Sequence, residues 1–114
     1  MKSIQSLLLN LNTVLNAISD DLTIYHYESP TDCDIPYGVW AEEGEGESFN
    51  ANNKKSEQII AGSVDFYTQT EFDTLVDSIQ EALNDCEGCS WVLDTVQYED
   101  ETKLIHYTWT WELS

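Results

Sequence analysis

The chain has 114 residues, and its 22 Asp and Glu stand against four lysines and no arginine, a formal charge of −18. Nucleic acids and anionic membrane surfaces are both held by Lys and Arg, so Lys2, Lys54, Lys55 and Lys103 alone argue against direct binding to either. A hydrophobic fraction of 41% with four Trp, six Tyr and three Phe supports one folded core, which excludes a disordered acidic tail.

In chain order, Ile4, Leu7, Leu8, Leu11, Leu15 and Ile18 repeat with helical spacing and predict a helix over 3–19, capped by Ser3. No run reaches the roughly 18 apolar residues that span a bilayer. Leu7 to Leu15 is interrupted by Asn10, Asn12 and Thr13 and lacks a small-residue cleavage site, so it reads as this helix and not as a signal peptide. Leu22 to Tyr27 predicts a strand, Glu28 to Pro36 a loop, and Tyr37 to Glu42 a second strand. Residues 43–55 read as a flexible loop rich in Gly, Glu and Asn. A third strand is expected over 56–67, with Gly62 as a bulge or bend. Thr68 to Glu71 has capping-box spacing, with Thr70 to Asp73 as an alternative start, ahead of an apolar stripe at Phe72, Leu75, Val76, Ile79 and Leu83. Gly88 can then turn the chain into a hairpin over 90–113 around Asp100-Glu101. Val92, Val96 and Tyr98 are expected to share a face with Ile105, Tyr107, Trp109, Trp111 and Leu113. The expected fold is one α+β domain, an antiparallel or mixed sheet of about five strands in the order α-β-β-β-α-β-β, with both helices on one face.

A search for chemistry finds no catalytic, cofactor-binding or metal-binding set, and no enzyme activity is expected. Cys86-Glu-Gly-Cys89 has the spacing of half a zinc site, but only Cys33, His26 and His106 remain to complete it. Three cysteines form no even disulfide framework, which points to a reducing, cytoplasmic setting. His26 and His106, each beside tyrosine, are placed on strands where they would be neighbours with access to carboxylates. Glu42, Glu43, Glu45 and Glu47 would gather a cation, yet no Asp-x-Asn-x-Asn-Gly pattern places calcium ligands. Gly44-Glu-Gly46 would present negative charge to a phosphate. Interaction features stand out more. The four Trp and six Tyr exceed the strict demands of a small core, although most of them are expected to lie in it, and such residues are frequent at interface hot spots. Glu43, Glu45, Glu47, Phe49, Lys54 and Lys55 in the loop are the candidate interface residues, with the paired lysines suited to the acidic face of another subunit.

The runs Ile24-Tyr-His-Tyr-Glu-Ser-Pro30, Ile35-Pro-Tyr-Gly-Val-Trp40, Val64-Asp-Phe-Tyr-Thr68 and Leu104-Ile-His-Tyr-Thr-Trp-Thr-Trp-Glu112 resemble the tail terminator, or tail-completion, proteins of tailed bacteriophages and prophages. The resemblance spans roughly residues 4–113 and rests on aromatic and apolar patterning. It implies a non-enzymatic head–tail connector subunit, monomeric or already assembled in solution, that forms a homo-oligomeric ring, typically a hexamer. That ring caps the tail tube and meets a head connector or stopper, in the bacterial cytoplasm during assembly and then in the virion tail. Carboxylates lining such a ring would keep the passing genome from sticking, over about 8 Å at physiological salt. Sheet edges and aromatic anchors would supply its interfaces. Two alternatives remain open: an acidic DNA mimic that inhibits a nucleic-acid-binding enzyme, and a head-completion (stopper) protein.

Overall fold

The computed structural model describes residues 3–46, 50–51, 54–55 and 58–114, with 50–51 and 54–55 described through their backbone pairing. The elements are α1 (Ile4–Asn16), β1 (Thr23–His26), β2 (Tyr37–Glu45), β3 (Asn50–Ala51), β4 (Lys54–Lys55), β5 (Ile60–Thr68), α2 (Leu75–Asp85), β6 (Cys89–Glu99) and β7 (Leu104–Leu113). Five strands make one mixed sheet in the order β1-β2-β5-β7-β6, while β3 and β4 pair separately. The fold is α+β, in the expected order of helices and main strands.

β1 lies parallel to β2, and every other pairing in the sheet is antiparallel. Trp40 on β2, Val64 on β5 and Trp109 on β7 stand side by side in register, so their side chains share one face. Both helices cover that face. Trp40 Nε1 donates to Asn12 Oδ1 of α1 at 3.1 Å, and Trp109 Nε1 donates to Gln80 Oε1 of α2 at 3.1 Å. The core is thus three fully buried tryptophans, Trp40, Trp109 and Trp111, with Leu11, Leu15, Val64, Phe66, Ile79 and Leu83 packed around them. Most of the tryptophan that looked surplus for a small core is therefore core; Trp91 is half-buried at its margin.

Several local expectations shift. α1 ends at Asn16, with the Ser3 hydroxyl accepting from Ser6 N as a cap. α2 begins later than the capping box suggested. Asp73 takes over the start, its carboxylate accepting from Leu75 N at 2.9 Å and from the Thr68 hydroxyl at 2.6 Å. Phe72 consequently leaves the helix stripe, adopts φ 57° and stands 88% exposed. The bulge expected at Gly62 lies across from it, between Glu42 and Gly44 on β2. Gly62 itself is needed for close approach, because a Cβ there would sit 2.4 Å from Trp111 Cζ2. The 43–55 loop is partly strand, since β2 runs on to Glu45 and β3 pairs with β4.

The hairpin closes through a four-residue turn, 100–103, with Lys103 at φ 61°. Its faces follow expectation up to a second bulge, between Leu93 and Thr95. Val96 and Tyr98 stand beside Tyr107 and Ile105 on the helix-bearing face, but Val92 pairs with Thr110 on the opposite one. The extra residue at the bulge flips the alternation, so the parity count through Val92 fails.

Candidate functional site

The face of the sheet away from the helices carries no helix. Along it stand Tyr25, Tyr37, Val39, Ala41, Ser63, Asp65, Tyr67, His106, Thr108, Thr110, Thr95 and Gln97 by register. Three of these rings stack in a row across neighbouring strands. Tyr37 and Tyr67 have centroids 4.8 Å apart, and Tyr67 and His106 4.2 Å, with interplanar angles of 17° and 20°. This ladder is built from β2, β5 and β7, so no short sequence motif encodes it.

Asp65 anchors the ladder. His106 Nε2 lies 2.8 Å from Asp65 Oδ1, and the Thr108 hydroxyl donates to the same oxygen at 2.7 Å. His106 Nδ1 is 3.8 Å from Glu99 Oε2. Burial, with Asp65, Tyr37 and Glu99 nearby, pushes the Tyr67 phenol up to about 12, so it stays neutral at ordinary pH. Asp65, Glu99 and Glu112 are the carboxylates at the register positions of this face. Among the described residues no Lys or Arg stands at a register position of this face.

His26 is not a neighbour of His106. It sits on β1 at the other side of the sheet and on the helix-bearing face, clamped between Tyr27 (3.7 Å) and Trp40 (4.0 Å) in a second stack. Glu42 ties that stack together: Oε1 lies 2.7 Å from His26 Nε2, and Oε2 accepts from the Tyr27 hydroxyl at 2.6 Å. Burial alone would raise the Glu42 carboxyl, but these two hydrogen bonds outweigh it and hold the group below its ordinary value. With both oxygens engaged, Glu42 is a strut for β1 rather than a cation ligand.

The remaining candidates separate. Cys86 is buried as the C-cap of α2, and Cys89 opens β6. Burial pushes both thiols up, Cys89 to about 12, which leaves them as thiols rather than reactive thiolates at neutral pH. Among the described residues no three His, Cys, Asp or Glu side chains come together in a way that would hold a metal ion. Of the interface candidates, Glu43 and Glu45 lie exposed at the end of β2, and Lys54 and Lys55 form β4. Glu47 and Phe49 lie outside the described residues.

A second uncovered surface was not anticipated. Beyond the helices, the β6–β7 hairpin exposes Val96 (52%) and Tyr98 (59%) on the helix-bearing face, beside Ile105. Gln69, Glu71 and Lys103 rim the open groove these residues line. The sheet edges, by contrast, are blunted. β1 offers four residues and stops at Tyr27 with φ 75°, and β6 is broken by its bulge at Asp94. Short edges, bulges and edge charges discourage strand addition, so the sheet faces are better docking surfaces than its edges.

No family model and no curated protein matches this chain.

Proposed function

We propose that the chain is a non-enzymatic assembly subunit of a tailed phage or prophage, acting as a tail terminator that forms a ring on the tail tube. The observation that carries this reading is the sheet face left uncovered by both helices. It carries the Tyr37–Tyr67–His106 stack across three neighbouring strands. Such a surface suits a protein neighbour better than a small substrate, because it is open and has no enclosing walls. The elongated body, with extents of 52 × 26 × 25 Å, also suits a subunit that reaches past its own core to a neighbour. In this role the partners are further copies of the chain, the tail tube protein and a head connector.

The DNA-mimic alternative requires carboxylates spaced like duplex phosphates along one surface. Here they are spread over Asp20 and Asp21, the β2 end at Glu43 and Glu45, the outer side of α2 and the hairpin turn. That spread disfavours the mimic, but it also gives no single carboxylate-lined side for a lumen, so the charge is left to solubility. Electron microscopy of the purified chain, alone and mixed with tail tubes, tests the proposal. Rings with a hole about as wide as a duplex, seated on tube ends, are expected. Tubes that keep growing with no bound subunit would overturn it, and binding to the head connector alone would transfer the chain to the stopper role.

A further inference from the structure

The turn between α2 and β6 brings two of the three cysteines together. Cys89 N donates to Cys86 O at 3.2 Å, which closes a β-turn over 86–89, and Gly88 has the positive φ (76°) that a type II turn needs at its third position. Any other side chain there is obstructed, because a Cβ would lie 2.2 Å from Ser114 O. The two thiols meet across this turn and are hydrogen-bonded to one another. Asn10 of α1 adds a contact from the neighbouring helix, its Nδ2 donating to Cys86 Sγ at 3.8 Å. We infer that Cys86 and Cys89 are a disulfide-forming pair, oxidised by a small-molecule disulfide when the chain meets an oxidising setting. The inference is independent of the assembly reading.

The backbone already suits the bond. The ends of a β-turn lie within about 7 Å between Cα atoms, and disulfides bridge Cα atoms about 4.4–6.8 Å apart. Exposure sets the order of events. Cys89 is partly exposed while Cys86 is 3% exposed, so the oxidant reaches Cys89 first. The Cys89 thiolate attacks one sulfur of the oxidant, forms a mixed disulfide and releases one thiol. The Cys86 thiolate then attacks the Cys89 sulfur, closes the internal bond and expels the second thiol. The two protons lost by the protein end on the two released thiols, so the pair gives up two electrons and the oxidant takes two. Contact between the sulfurs makes the second step intramolecular, and it outruns capture by another molecule. Burial, which pushes both thiols up, slows the first step but makes the product durable. A dithiol pair is a strong oxidant when its reduced form is stabilised as a thiolate, and here neither sulfur is. The bond is therefore a staple between α2 and β6 rather than an exchanging redox centre. Cys33 takes no part, because it lies beside Tyr37, at the opposite end of the strands from Cys89.

Equilibrating the wild-type chain in glutathione buffers of graded redox ratio tests this, once in native buffer and once in urea. After acid quenching, alkylation and proteolysis, mass spectrometry reads the peptide that contains both Cys86 and Cys89. In native buffer that peptide should lose two hydrogens and take up no alkyl group, while Cys33 is alkylated or carries glutathione. At a fixed glutathione ratio, internal disulfide over dithiol should be about tenfold or more higher in native buffer than in urea, because a fold that holds the sulfurs together favours the bond. A ratio no higher in native buffer, glutathione left on Cys86 or Cys89 at equilibrium, or a bond to Cys33 would each overturn the inference. The oxidised chain should also melt at a higher temperature than the reduced one. A lower melting temperature would show that the fold resists the bond, and would overturn the inference as well.

Discussion

At the scale of single residues, tight backbone approach and polar pairing decide what can be changed. Gly62 lets the Trp111 ring lie over the β5 backbone, and a Cβ there would also meet Ala41 O at 2.2 Å. Gly62→Ala should therefore destabilise by about 1–3 kcal/mol, the usual range for overpacking, read as a lower urea midpoint with an unchanged slope. Tyr67 makes a pH prediction. Its phenol sits at about 12 in the folded protein against about 10 in the unfolded chain, so the folded state holds its proton more tightly. The resulting stability is fully present below about pH 10 and is lost as pH rises from there to about 12. Urea unfolding across that window should show the decline, and Tyr67→Phe should flatten it; an equally steep decline in the variant would refute the assignment. Glu42 works in the other direction. Held low by Tyr27 and His26, it adds stability above the ordinary carboxylate range that disappears as pH falls through its folded value.

At the scale of elements, α2 carries Asp77, Glu81 and Asp85 at four-residue spacing on its exposed side, with no basic residue in its last turn. Like charges at that spacing repel, and a carboxylate at the C-terminus opposes the helix dipole. Asp85→Lys should raise stability by about 0.5–1.5 kcal/mol, measured as a higher melting temperature. A lower melting temperature would refute the repulsion assigned to Asp85. Elements were also where the sequence was most legible. The α1 stripe and the hairpin were readable because periodicity is local information, and Leu11, Leu15, Trp109 and Trp111 are buried as their spacing implies. Val92 was misplaced because the bulge after Leu93 leaves no mark that composition can reveal. The capping box was misplaced because Thr68 and Thr70 both fit its spacing, whereas in the fold the Asp73 carboxylate accepts from Leu75 N and from the Thr68 hydroxyl. The Tyr37–Tyr67–His106 ladder was illegible, since only the strand order brings residues from three distant segments together.

At the scale of the whole molecule, the charge and the uncovered surfaces oppose each other. Copies of a −18 chain repel each other in dilute salt, so self-association of the kind proposed must overcome that repulsion. Raising ionic strength from about 0.01 M to about 0.5 M shrinks the screening length from roughly 30 Å to under 8 Å, so association should strengthen with salt. Sedimentation equilibrium across that range checks it, and an association weakened by salt would point instead to ion pairs as the binding force. The parallel edge strand carries a different consequence. β1 holds four residues, pairs with a single neighbour and depends on the Glu42 strut, whereas β6 and β7 form a long local hairpin. Loop-closure entropy favours the local hairpin first, with β1 annealing onto a sheet already formed. The sheet therefore has one end held by a long local hairpin and the other by a short strand that keeps its place through Ile24 in the core and the Glu42 strut.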